Sequence, residues 1–231
     1  VKIAIAITVN DRPEYLEQVI ESWHKVRGIE DTWVIFQCEP ESRECQDLCL
    51  KAKFPKQVVK INQTKMSALG NPYVAIQSGF SDVGDIDFVV LGEDDSIVTA
   101  DALEFFRTAA RKYYRHEQCL GVCSFQYRPA GKPYMIYPRH YFASVVWGTW
   151  RNRWDIIRSR WTFNYDPAWD RMLLDLVAPG DYFFAFPTIS RSQHIGRERG
   201  THMSPEQFEE LQAKRVHDGS AQNYMAIGGD S

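Results

Sequence analysis

The stretch Ile86-Asp87-Phe88-Val89-Val90-Leu91-Gly92-Glu93-Asp94-Asp95 is an apolar run of strand length that ends abruptly in three adjacent carboxylates. Adjacent carboxylates repel one another weakly in water, but at the end of a buried strand the repulsion is costly unless a cation or a donor network offsets it. A divalent metal is the simplest such partner.

Upstream, Lys2 to Val9 is β-branched and apolar and reads as a first buried strand. It runs into Asn10-Asp11-Arg12-Pro13-Glu14. Asp11 suits a helix N-cap, Pro13 an early helical position and Glu14 the third place of a capping box. Leu16, Val19, Ile20 and Trp23 then recur at helical spacing. Trp33 to Cys38 predicts a second strand, Glu41 to Lys53 a helix, Gln57 to Ile61 a third strand and Met66 to Phe80 a helix. A polar turn, Ser81 to Asp85, leads into the strand that carries the carboxylates.

Alternation of strand and helix predicts an α/β fold, with a mostly parallel, Rossmann-like central sheet flanked by helices. Thr99 or Asp101 is placed to start the next helix, with Leu103, Phe106, Ala110 and Tyr113 inward, and Cys119 to Gln126 reads as a further strand. Beyond Tyr127 the composition turns aromatic. Prolines 129, 133 and 138 interrupt it, and Trp147, Trp150, Trp154, Trp161 and Trp169 follow closely. No linker separates this half, which is expected to fold over the same sheet as an acceptor-side wall. Ile189 to His202 is basic, polar and flanked by glycine, as suits a loop closing on an anion.

Bulk properties narrow the classes. The chain has 231 residues, 44% hydrophobic and 25% charged, enough to bury one substantial core, so a single domain over 1–231 is expected. A net charge of -3 gives no global attraction to nucleic acid or anionic membranes. Cys38, Cys45, Cys49, Cys119 and Cys123 form an odd set in a chain too large to need disulfide staples, which favours a reducing, cytoplasmic setting. Cys45 and Cys49 share a helical face and with Cys38 suggest a zinc site. The lack of any Cys-x-x-Cys pair favours buried free thiols instead. No run approaches the ~20 apolar residues of a membrane span, and no signal segment opens the chain. The missing initiator Met is read as trimming, which leaves open an anchor outside this stretch.

In an open α/β sheet, ligands lie beyond the carboxyl ends of the strands, where both Asn10-Asp11-Arg12 and Glu93-Asp94-Asp95 stand. A cation held there can bridge the phosphates of a nucleotide-sugar donor. At this point the chain resembles a glycosyltransferase of the GT-A fold and is most similar to the N-acetylglucosaminyltransferase I-like family. The resemblance is carried by Asp11-Arg12 and by Val89 to Asp95 followed by a helix with Phe105-Phe106. It continues in Trp169-Asp170 before a hydrophobic helix, and in Ile189-Ser190-Arg191 with Gly196-Arg197 and Gly200. These fragments keep the same order from Ile3 to His202, while Ala68-Leu69-Gly70-Asn71 resembles the donor-binding helix start of the broader family-2 type. The Golgi members' anchor and stem are not in this stretch, and the loop after Arg197 is one residue longer.

The resemblance implies a nucleotide-sugar-binding half over 1–126 and an acceptor-binding half over 127–231. It implies Asp95 as direct ligand of Mn2+ or Mg2+, Asp94 near the ribose or sugar and Glu93 on donor hydroxyls. Asp11 is expected at uracil or ribose, Arg12 at base or phosphate, and Asn71 at the donor. Arg191, Arg197 and Arg199 are expected near the leaving diphosphate, and His194 and His202 are candidates to complete the metal shell. Asp170 is the expected general base, with Asp166 as its rival, and Trp147 and Gly148 are expected to shape the sugar pocket. Plainer readings stand beside these: Asp11 as a cap, Arg12 as a surface charge, a solvated basic loop and Trp147 as core.

The implied activity is a metal-dependent, inverting hexosyl or N-acetylhexosaminyl transfer from a UDP-sugar to an acceptor hydroxyl. The resemblance does not carry over the acceptor, which stays open among a glycan, a lipid-linked sugar, a protein and a hydroxylated base in DNA, each presenting a hydroxyl. A nucleotidyltransferase would carry a glycine-rich, basic loop after the first strand, which Asn10 to Pro13 lacks. A non-catalytic sugar-binding protein would not need intact acids at both Glu93 to Asp95 and Asp170.

Overall fold

A computed structural model describes residues 1–128, 131–165, 168–197, 205–212, 216–220 and 224–226. The alternation seen in the sequence is realised from the N-terminus: β1 (Ile3–Val9), α1 (Pro13–His24), a 3-10 turn at Ile29–Asp31, β2 (Trp33–Cys38), α2 (Arg43–Lys51), β3 (Gln57–Ile61), α3 (Ser67–Ser81) and β4 (Phe88–Glu93). Then come β5 (Ser96–Val98), α4 (Ala102–Tyr113), β6 (Cys119–Cys123), β7 (Met135–Arg139), β8 (Trp147–Trp150), α5 (Arg151–Arg160), α6 (Trp169–Val177) and β9 (Phe183–Pro187). β10 (Ser192–His194), α7 (Pro205–Gln212) and β11 (Met225–Ala226) complete the order.

Among the described residues, nine strands form one sheet in the order β3-β2-β1-β4-β8-β6-β9-β7-β11. β1 to β4 run parallel, and β8 lies antiparallel between β4 and β6. The aromatic half therefore supplies strands to the sheet as well as covering it, which corrects the expectation of a wall alone. Trp147-Gly148-Thr149-Trp150 is short and broken by a glycine, so it shows neither the β-branched apolar run nor the alternation by which a sequence reading finds a strand.

Period-two alternation divides the core. Ile3, Ile5, Ile7, Val9, Phe88 and Val90 face the side covered by α1, α2 and α4, where Leu16, Trp23, Cys49, Leu103 and Phe106 meet them. Ala4, Ala6, Val89 and Leu91 face α3, α5 and α6, with Ile76, Phe80, Trp154, Ile157 and Met172. Each fully buried aliphatic or aromatic side chain contributes roughly 1.5–3 kcal/mol. Helices on both faces thus leave the carboxyl ends of β1, β2 and β4 as a shared edge that polar residues can occupy.

Local signals were realised unevenly. Ser42 caps α2 by accepting from the Cys45 N–H at 3.3 Å. The cap expected from Asp11 is not formed, because α1 begins one residue later with Arg12 at its N-cap and no side-chain cap bond. Pro13 then takes the first helical position, where its missing N–H costs nothing. Asp101 stands at the α4 N-cap, also without a side-chain cap bond. All five cysteines are free and buried, and no group of three metal-ligating side chains occurs among the described residues. No described helix is long and apolar enough to cross a membrane.

Candidate active site

The carboxyl ends of β1, β2 and β4 open into a cavity of about 480 Å3. It is lined at one end by Asn10, Asp11, Arg12, Glu39, Lys65, Asn71, Glu93, Asp94, Asp95 and His194, and also by Tyr127, Ser144, Val145, Trp169 and Asp170. The Glu93-Asp94-Asp95 turn lies between β4 and β5, so a strand end presents the acids, as the sequence reading required.

Asp94 and Asp95 are buried, whereas Glu93 is half-buried. The Arg12 guanidinium bridges them, one terminal nitrogen donating to Asp94 Oδ1 and the other to Asp95 Oδ2. The Asn10 backbone N–H donates to Asp94 Oδ2 at 2.8 Å. His194 Nε2 lies 3.1 Å from Asp95 Oδ2. It is carried there by β10, which pairs antiparallel with β5 so that His194 stands opposite Ser96. The Ile195 N–H locks this approach by donating to the Asp95 carbonyl at 2.8 Å. Gly196 permits it, because a Cβ there would lie 2.5 Å from Asp95 Oδ2.

Charges in this turn are incompletely compensated. Burial, reinforced by the charge of Asp95, pushes the Glu93 carboxyl up to about 8 against the pull of Arg12 and His194. Burial likewise raises Asp94 to about 6, although Arg12 opposes it. At Asp95 burial is outweighed by the His194 hydrogen bond and by the charges of His194 and Arg12, which hold it below the usual carboxylate range. Burial would lower His194, but its bond to Asp95 and the nearby acids raise it instead.

Asn71 is buried and lines the cavity, with its amide donating to the Gln37 carbonyl at 3.2 Å and accepting from Asn62 at 3.0 Å. Glu39, which the sequence reading missed, sits at the end of β2 and lines the same wall. Its carboxylate accepts from the Met66 N–H at 2.9 Å and from Asn62 at 3.1 Å, fixing the entry to α3. The signal was present: a carboxylate directly after the second strand obeys the same strand-end rule as Asp11.

Asp170 lies in the first turn of α6, where its Oδ1 accepts the Arg171 N–H at 2.9 Å. Asp166 lies outside the described residues, as do Arg199 and His202. Trp147 and Gly148 are not among the residues lining the cavity, which corrects the expectation that they shape it. Trp147 is fully buried, and Gly148 is packed so closely on Phe88 that a Cβ would lie 2.2 Å from the ring. The wall they were expected to supply comes from Ser144 and Val145 beside them. Next in chain is Val146, held at φ +46 with its carbonyl accepting from the Ser124 hydroxyl at 2.6 Å.

Two arginines expected at the diphosphate lie elsewhere. Arg191 is fully buried and paired with Asp101 at 3.3 Å, while its guanidinium also donates to the Pro133 carbonyl at 2.6 Å. A guanidinium so enclosed has no path to the cavity. Arg197 is exposed and pairs with Glu209 on α7 at 3.3 Å. The structure thus brings Asp11, Arg12, Asn71, Glu93, Asp94, Asp95, Asp170 and His194 to one cavity and places Arg191 and Arg197 away from its lining.

No protein-family model and no curated protein matches this sequence. Solved structures do match in fold. Residues 1–349 of S. aureus TarS superpose with a TM-score of 0.58 at 12% identity, covering 94% of this chain and 67% of that one. The same protein in complex with UDP-GlcNAc gives 0.58 at 14% identity, over 94% and 68%. The mannosyltransferase PcManGT from Pyrobaculum calidifontis, in complex with GDP-Man and Mn2+, gives 0.56 at 11% identity, over 87% and 59%. The chain therefore has the α/β fold of GT-A glycosyltransferases, a mostly parallel sheet flanked by helices.

Proposed function

We propose that this chain transfers a hexosyl or N-acetylhexosaminyl group, with inversion, from a UDP-sugar to an acceptor hydroxyl. The finer kinship to the N-acetylglucosaminyltransferase I-like family is part of the same reading. The observation that carries it is a cavity with the three-carboxyl turn Glu93-Asp94-Asp95 and Asp170 both in its lining. Nucleotide-sugar complexes of the two fold neighbours add support.

The donor set fits a divalent cation of the Mn2+ or Mg2+ kind. Such ions are commonly held by one or two protein side chains together with substrate phosphates rather than by a full protein cage. Asp95 and His194 converge as two donors, and the Glu93 and Asp94 carboxyls beside them are raised because Arg12 does not fully offset their burial. A bound cation would supply charge neutralisation for the departing diphosphate.

Asp170 takes the proton from the acceptor hydroxyl as that oxygen forms its bond to the anomeric carbon. The bond from that carbon to the diphosphate oxygen breaks, and its electron pair leaves with UDP. Attack from the face opposite the leaving group inverts the centre. Asp11, Glu39 and Asn71 would flank the nucleoside, and Arg12, which lines the same cavity, would add positive charge for the phosphates.

Titration calorimetry of UDP with manganese present tests the donor end, and a thermal-shift screen of UDP-, GDP- and TDP-sugars tests which base is read. Asp95→Ala is expected to abolish manganese-dependent UDP binding. Asp170→Ala is expected to keep UDP binding while turnover falls by about 10²–10⁴-fold. Absence of binding for every nucleoside diphosphate would overturn the reading.

A further inference from the structure

Asp95 Oδ2, the oxygen that His194 Nε2 approaches to 3.1 Å, also accepts a hydrogen bond from one terminal nitrogen of Arg12. The other terminal nitrogen of Arg12 donates to Asp94 Oδ1. The guanidinium therefore engages the same oxygen that a divalent cation held by Asp95 and His194 would draw on. Two positive groups on one buried carboxylate repel each other, and burial leaves that repulsion poorly screened.

Arg12 is held less completely than the buried Arg191. Arg191 Nε reaches Asp101 at 3.3 Å and the Tyr224 hydroxyl at 3.1 Å, and its terminal nitrogens donate to the Ile189 and Pro133 carbonyls. Arg12 Nε is buried and meets no acceptor among the described residues. The Arg12 side chain is 16% exposed and lines the cavity, whereas that of Arg191 is fully enclosed. The Arg12 carbonyl is fixed by the Tyr15 and Leu16 N–H groups at 3.2 and 3.0 Å, so the guanidinium can rotate toward the cavity with α1 unmoved. The acids keep supports of their own: the Asn10 N–H on Asp94 Oδ2 at 2.8 Å and the Ser96 hydroxyl on Asp95 Oδ1 at 3.4 Å.

We infer that Arg12 is a resident competitor of the divalent cation: it must release Asp95 before the cation binds, which couples cation binding to that of a nucleoside diphosphate. A guanidinium pairs with phosphate oxygens as readily as with carboxylates, so a diphosphate in the cavity gives Arg12 a replacement partner. Where the competent arrangement is only a fraction of the population, apparent affinity for the cation falls by that fraction, and a second ligand that favours release restores it. By linkage, the diphosphate then tightens the cation as much as the cation tightens the diphosphate. The coupling rests on the donor reading, whereas the competition at Asp95 does not need a nucleotide.

The test is titration calorimetry of manganese on the whole chain, with and without UDP, in wild type and Arg12→Gln. Without UDP, Arg12→Gln is expected to bind manganese about 10- to 100-fold more tightly than wild type, the scale set by losing charge-assisted hydrogen bonds that compete. UDP is expected to tighten manganese less in Arg12→Gln than in wild type. Arginine side-chain NMR of the wild type keeps the test open where the variant folds poorly. There Mg2+ is expected to shift the Arg12 Nε–H signal, assigned through bonds to its own backbone, and to leave that of Arg191 in place. The inference is overturned by an Arg12 signal unmoved at saturating Mg2+, by manganese affinity no higher in Arg12→Gln, or by an equal effect of UDP in both proteins. Where UDP binds neither protein, the donor reading fails, while the Mg2+ shift and the tighter manganese binding still support release of Arg12.

Discussion

Two clusters in this molecule are made of nearly the same parts and serve opposite ends. Around Asp101 a carboxylate, the Arg191 guanidinium, the His217 imidazole and the Tyr224 hydroxyl close on one another, with His217 Nδ1 3.2 Å and Arg191 Nε 3.3 Å from Asp101 Oδ2. Arg191 is also enclosed by the Phe105 and Tyr224 rings, at 5.9 and 5.1 Å. One acid meets one guanidinium there, and the remaining donors reach the Ile189 and Pro133 carbonyls. Around Asp95 the acids outnumber the guanidinium three to one, and the cluster opens on a cavity. Stoichiometry and access separate a closed, one-to-one cluster from one that opens on a cavity. Arg191, in the basic stretch, and Arg12, in the turn after β1, both read from sequence as ligand contacts, and only Arg12 lines the cavity.

The comparison breaks most visibly at the two arginines. Arg191→Met leaves Asp101 buried without its guanidinium and is expected to cost about 3–5 kcal/mol in urea denaturation, with no recovery on adding manganese. Arg12→Met removes the counter-ion of two acids and is expected to destabilise the chelated protein. Unlike the first variant it should regain about 2.7 kcal/mol when manganese stands at 100 times its dissociation constant. An Arg12→Met protein indifferent to manganese would erase the distinction drawn between the clusters.

A smaller effect follows from pH. Glu93 and Asp94 titrate higher in the folded state, at about 8 and 6, than the ~4 of an unfolded carboxyl. The folded state therefore holds more protons between those values, and these two groups' contribution is present in acid and lost as pH rises through 6 and 8. His194, also raised, acts in the same sense over the upper part of the range. Asp95, lowered, acts oppositely and loses its contribution only in acid. Urea midpoints in chelator are expected to decline from pH 5 to 9. Glu93→Gln should flatten the upper part of that decline, and an unchanged profile would count against the raised Glu93 carboxyl. The smallest effect is expected at Arg197, whose exposed pair with Glu209 should be worth less than about 1 kcal/mol by thermal melting of Arg197→Ala.

Much of the parallel half was legible in the residues. Ile3 to Val9 and Phe88 to Glu93 are apolar runs bounded by turn formers, and they became neighbouring parallel strands. Asp11, Asp94 and Asp95, read from sequence at strand ends, line one cavity. Glu39, directly after β2, obeys the same rule and lines the same cavity. The antiparallel β8 was hidden because Trp147-Gly148-Thr149-Trp150 is short and holds a glycine, forming neither a β-branched apolar run nor a clean alternation, and β5 and β10 because three residues carry no period.

What the sequence determined by itself is local: where strands and helices begin, which faces are apolar, and that three acids stand at a strand end. Those properties depend on neighbours a few residues apart. Which charges meet was decided only by the tertiary structure. Arg12 reaches its acids across 82 and 83 residues, Arg191 reaches Asp101 across 90, and Tyr224 reaches it across 123. A guanidinium looks the same in sequence whether it will be enclosed or presented to a ligand, because burial is a property of the packed sheet and not of the residue.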